Sequence, residues 1–76
     1  MNKVRRKRIE EAMSMIDNAR EILEECLNEE QEYFDNMPEN LQESERGEES
    51  EEAIVALEDA ISNLEDAYDN AETATD

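Results

Sequence analysis

Apolar residues recur with helical spacing along two stretches of this chain. In the first, Ile9, Ile16 and Leu23 return every seven residues, and Ala12, Ala19, Cys26 and Tyr33 return every seven, three places later. Met13, Leu27 and Phe34 widen the stripe. Alternating steps of three and four put side chains on one face of an α-helix. Polar and acidic residues fill most other positions, with no Gly or Pro inside, so the pattern predicts one helix over about 4–36. The second stretch reads AIVALED, AISNLED, AYDNAET from residue 53 to 73. Ile54, Leu57, Ile61, Leu64, Tyr68 and Ala71 form its stripe, flanked by Ala53, Ala60 and Ala67, and predict a second helix over about 50–72. Small residues at that spacing let another helix backbone approach closely.

The segment between, residues 37–49, holds the only Pro and the only Gly. Pro38 stops the first helix because it disfavours helical geometry at Met37 and lacks an N–H. It also suits the start of a short turn, Pro38-Glu39-Asn40-Leu41, with Met37 and Leu41 closing the end of the core. Ser44 and Ser50 are alternative N-caps for the second helix, with acids following where the helix dipole favours them. A connector this short makes the two helices antiparallel neighbours. The fold expected is all-α: a two-helix hairpin with a Pro-initiated turn in the connector, one domain over residues 1–76.

Length limits what such a hairpin can bury. With 76 residues, 37% apolar and 4% aromatic, the core is modest. A two-helix hairpin of this size has little net stability alone. The first helix's stripe is also wider than one facing helix needs, because Met13, Met15, Ile22 and Leu27 spread to both sides. Self-association into a four-helix bundle, as a homodimer, or a covering partner is therefore expected.

Charge changes the picture further. The chain has 24 acidic and 7 basic residues and a net charge of −17. Residues 3–8, KVRRKR, hold five of the basic residues, leaving only Arg20 and Arg46 among all 24 acids. Two readings of KVRRKR stand. In one, the hairpin sets Arg5, Arg6, Lys7 and Arg8 beside Asp69, Glu72 and Asp76. In the other, the block touches an acidic partner, direct nucleic-acid binding being disfavoured by the overall charge.

Catalytic and ligand motifs are missing. There is no His, the commonest general base and metal ligand. Cys26, the single Cys, reads as a small buried hydrophobe on the stripe, without a base to activate it. No disulfide framework is available, which fits a reducing cytoplasm. The lone Gly47 does not fit an EF-hand loop, and Glu-x-x-His is absent. The expectation is no enzyme, no cofactor, no metal site and no membrane span.

What remains is the acidic face. Glu51/Glu52, Glu58/Asp59 and Glu65/Asp66 recur every seven residues on the second helix, and Glu10/Glu11, Asp17 and Glu24/Glu25 do so on the first. Spread along a hairpin of ~45 Å, the net charge comes to about one per 2.6 Å, against about one per 1.7 Å for duplex DNA. Exposed helices ordinarily mix Glu with Lys for mutual support; here almost no Lys or Arg follows residue 8. The candidate partner-binding residues are therefore Glu51, Glu52, Glu58, Asp59, Glu65, Asp66, Glu24 and Glu25. At the hairpin tip, Gln42, Ser44, Arg46 and Gly47 form a second candidate epitope. Their competing reading is capping, with Ser44 starting the helix, Gly47 in a positive-φ turn and Arg46 bridging neighbouring acids.

The stretch EEQEYFDNMPENLQESERGEESEEAI, with the acidic helices around it, resembles small acidic helical proteins encoded by bacteriophages and prophages. These have no assigned activity, so no functional residue carries over. The resemblance implies a bacterial cytoplasm and a phage accessory role; phages use small acidic proteins to block host nucleic-acid enzymes and defence nucleases. The function expected is a non-enzymatic nucleic-acid mimic or inhibitor that binds a basic surface on a nucleic-acid-handling or host-defence protein. The alternatives are a self-associating structural module kept soluble by its acid, and sequestration of a small signalling ligand.

Overall fold

Asn2 opens the first helix: its backbone is extended and its side-chain Oδ1 accepts the Arg5 N–H at 2.7 Å, satisfying one of the free N–H groups of the first turn. The computed structural model describes residues 1–76 as three helices, α1 (Lys3–Asp35), α2 (Glu39–Gln42) and α3 (Glu45–Thr75). α1 packs along α3, and α2 rests against the start of α3. The 58 × 15 × 13 Å extents exclude an end-to-end arrangement, because α1 alone is about 50 Å long. Glu30 meets Ser50 near the turn, while Ile16 and Arg20 share a groove with Leu64 and Tyr68 further along. That register makes α1 and α3 antiparallel.

The second helix starts earlier than the apolar pattern implies. Ser44, in extended geometry, occupies the N-cap position of α3, and Glu45 and Glu48 occupy its first turn, where acids suit the dipole. Ser44 does not cap through its side chain; its hydroxyl donates to the Leu41 carbonyl. Gly47, expected in a positive-φ turn, lies buried inside α3 with no positive φ. Its role is close approach: a Cβ there would fall within 2.7 Å of Gln42 Cα and collide with the Gln42 carbonyl. Glycine lets the short turn of α2 lie directly on α3, at the helix-propensity cost of about 1 kcal/mol relative to Ala. Met37 is buried and Leu41 half-buried at this end.

The α3 face follows the expected stripe. Ile54 and Ile61 are buried, and Leu57, Leu64, Tyr68 and Ala71 are half-buried. On α1 half of the expected seam is displaced. Ile9, Ile16 and Leu23 face α3, but the second row is Arg6, Met13, Arg20, Leu27 and Phe34, the positions half- or fully buried. Ala12, Cys26 and Tyr33, assigned to the seam by spacing, are exposed. Cys26 is therefore not the buried hydrophobe expected.

The resulting core is thin. Met13, Met37, Ile54 and Ile61 are its buried apolar side chains, and no side chain is fully buried. The accessible surface is 5739 Å², against about 4800 Å² for a compact monomer of this mass. The radius of gyration, 17.2 Å, compares with about 11 Å for a globular chain of this length.

Candidate functional site

The heptad repeat of α3 sets its acid pairs outward. Glu51, Glu52, Glu58, Asp59, Glu65 and Asp66 are all exposed, as is Glu25 on α1. Glu24 is the exception among the candidates: it is half-buried and held by Arg20. On the outer side of α3, away from α1, Glu48, Glu51, Glu52 and Asp59 line a shallow depression with Val55 and Ala56. Val55 is 56% exposed, so an apolar contact sits among four carboxylates. Sequence spacing misses this Val because it lies off the α3 stripe.

Only two ion pairs form, and both belong to Arg20. Its Nη2 lies 2.9 Å from Asp17 and its Nη1 2.7 Å from Glu24. The hydrogen bond to Asp17, then that to Glu24, raises the Arg20 pKa above its ordinary value. Arg20 sits on the seam, where a half-buried cation needs such partners. Every other carboxylate lacks an ion-pair partner, so most of the negative charge is left for solvent or another molecule. The KVRRKR block reaches the same end of the rod as Asp69, Glu72 and Asp76 but makes no ion pair with them. Arg6 Nε is buried there without a hydrogen-bond partner.

The two sides of the hairpin differ. Ile16, Asp17 and Arg20 share one groove with Leu64, Glu65, Tyr68 and Asp69. The opposite flanks of the two seams then fall together on the other side: Ala12, Ala19 and Cys26 from α1, with Ala53, Ala60 and Ala67 from α3. One side is acidic and the other apolar. Arg20 is already occupied by Asp17 and Glu24, so the acidic groove offers no free cation to an anionic small ligand.

At the tip, the candidate residues have structural work. The Gln42 side-chain N–H groups donate to the Phe34 carbonyl at 3.1 Å and the Met37 carbonyl at 3.3 Å, capping the end of α1. Ser44 and Gly47 shape the turn as described. Arg46 is exposed and bridges no acid, contrary to expectation. Ser50, the alternative N-cap, is instead buried in α3, and its hydroxyl donates to Glu30 at 2.6 Å across the hairpin. No group of three or more acidic or Cys side chains is arranged to hold a metal ion. No helix is long and apolar enough to cross a membrane.

No family model, curated protein or solved structure matches this chain. The surface itself is therefore the basis for a functional reading.

Proposed function

We propose that this protein acts without catalysis, by presenting a rigid anionic surface to a basic protein that handles nucleic acid or serves host defence, in the manner of a nucleic-acid mimic. The observation that carries this reading is the unneutralised acid. Twelve acids lie from Glu45 to Asp76 with Arg46 as the one cation among them, and none of these acids has an ion-pair partner. Such a surface repels itself and loses folding stability by doing so. It gains from a basic cleft through steering and counterion release, the terms duplex DNA uses. Val55 adds an apolar contact within the acid cluster.

Charge density favours a paired form of the molecule. One hairpin carries −17 along 58 Å, about one charge per 3.4 Å, half the linear density of duplex DNA. Two hairpins side by side carry about one per 1.7 Å, the DNA value. A dimeric four-helix bundle is therefore part of the proposal. The exposed apolar flank also favours a second reading, a self-associating structural module whose acid serves solubility alone.

Affinity capture from a bacterial lysate separates the two. The mimic reading expects a basic nucleic-acid enzyme or nuclease at low salt, released at high salt and displaced by added duplex DNA. Changing Glu51, Glu52, Glu58 and Asp59 together to their amides should abolish capture while circular dichroism stays helical. Equal capture by the quadruple variant would refute it.

A further inference from the structure

The exposed apolar residues of α1 fall on one line. Val4, Met15, Ile22 and Tyr33 are 72%, 69%, 59% and 47% exposed. They are separated by 11, 7 and 11 residues, and at 3.6 residues per turn each step returns to within about 20° of the same direction. The line lies about 120° around the helix from the seam with α3, on the apolar side of the hairpin. It is also symmetric in sequence: Val4 and Tyr33, like Met15 and Ile22, are equidistant from the point between Asn18 and Ala19. Arg8 and Glu29, both exposed on the same side, are equidistant from that point too.

α3 offers a row of small residues on the same side. Its alanines on the apolar side, Ala53, Ala60, Ala67 and Ala74, recur every seven residues about the point between Asn63 and Leu64. Arg20 and Leu64 line one groove, so the two centres lie at about the same height along the rod. A twofold interface is isologous: residue i meets j of the second copy, and j meets i. The mirrored line of α1, level with the middle of the alanine row of α3, is compatible with such an axis.

Charge selects the direction. α1 has no acid in its first turn and no base in its last, the reverse of what its own dipole favours. Lys3–Arg8 stand at the N-terminus; Glu29, Glu30, Glu32 and Asp35 stand at the C-terminus. An antiparallel copy lays each basic end over the other's acidic end. The acids of α3 near the basic end, Asp69 and Glu72, point to the opposite, acidic side and make no ion pair with it.

We infer that a second copy of this chain docks on the apolar side, through a twofold axis normal to the rods, with α1 antiparallel on α1 and α3 antiparallel on α3. Val4 packs on Tyr33 of the second copy, Met15 on Ile22, and Arg8 faces Glu29, each contact made twice. The alanines of α3 allow its close approach to the second α3. From Val4 to Tyr33 the line spans 29 residues, about 44 Å of helix, so the contact runs most of the length of the rod. This rests on the reading that the hairpin self-associates, and adds the face and the register.

Sedimentation equilibrium tests both. Wild type should be a dimer. Arg8→Glu and Glu29→Arg, both at exposed sites, should each weaken it by about tenfold or more, and the double swap should restore it. Glu11, equidistant with Cys26, should as Glu11→Cys oxidise to a covalent dimer that the wild type does not form. A dimer indifferent to the swaps and not linked through E11C would leave self-association standing and overturn this register. A wild-type monomer at all concentrations would overturn the pairing altogether.

Discussion

Gly47 is the residue on which the turn depends most. Its missing side chain is the space that the Gln42 backbone fills, so any Cβ forces α2 away from α3. Gly47→Ala should destabilise the hairpin by about 1–3 kcal/mol in a urea melt, despite the better helix propensity of Ala. A conformational role at positive φ would instead be the usual reading of a lone Gly in a polar connector, and that role is absent here. Arg20 illustrates a different logic. A pKa raised in the folded state means its stabilisation is fully present below the unfolded value and is lost only as pH climbs through the folded one. That window lies at extreme alkaline pH, so this arginine's own titration leaves the triad with Asp17 and Glu24 intact across the neutral range. Ser50 and Glu30 form the one side-chain hydrogen bond between the long helices. Neither residue announces that role in the sequence, because a Ser amid glutamates reads as a cap.

At the scale of the element, α3 was legible and α1 only partly so. The α3 stripe has one continuous apolar line from Ile54 to Ala71, and burial follows it. α1 carries two apolar lines about 120° apart, and the one that meets α3 is interrupted by Arg6, Arg20 and Glu30. Spacing favours the cleaner row of Ala12, Ala19, Cys26 and Tyr33, which the structure leaves mostly exposed. The start of α3 stayed open between Ser44 and Ser50, since its first two turns contain Gly47 and no large apolar residue to decide it; the structure selects Ser44. α1's charge arrangement opposes its dipole, which has a measurable consequence. Lys3→Glu places an acid in the first turn and should stabilise the hairpin by about 0.3–1 kcal/mol at low salt, an effect that 1 M salt removes. Thermal melts at the two salt concentrations check this, and equal gains at both would count against a dipole origin.

For the whole molecule, shape and charge act together. The rod has more surface than a compact monomer, an apolar flank left uncovered, a basic end at Lys3–Arg8 and an otherwise mostly anionic surface. The candidate acid pairs were readable because heptad repetition fixes them outward; the depression around Val55 and the split into acidic and apolar sides were not, because both need the relative turn of two helices. Pairing on the apolar flank would hide what is greasy and double the charge on an unchanged length. Small-angle X-ray scattering tests that most directly. A paired rod scatters as a particle of about twice 8.8 kDa whose longest dimension stays close to the 58 Å rod plus its side chains. A mass of 8.8 kDa at every concentration, or a doubled mass with a doubled length, would contradict it.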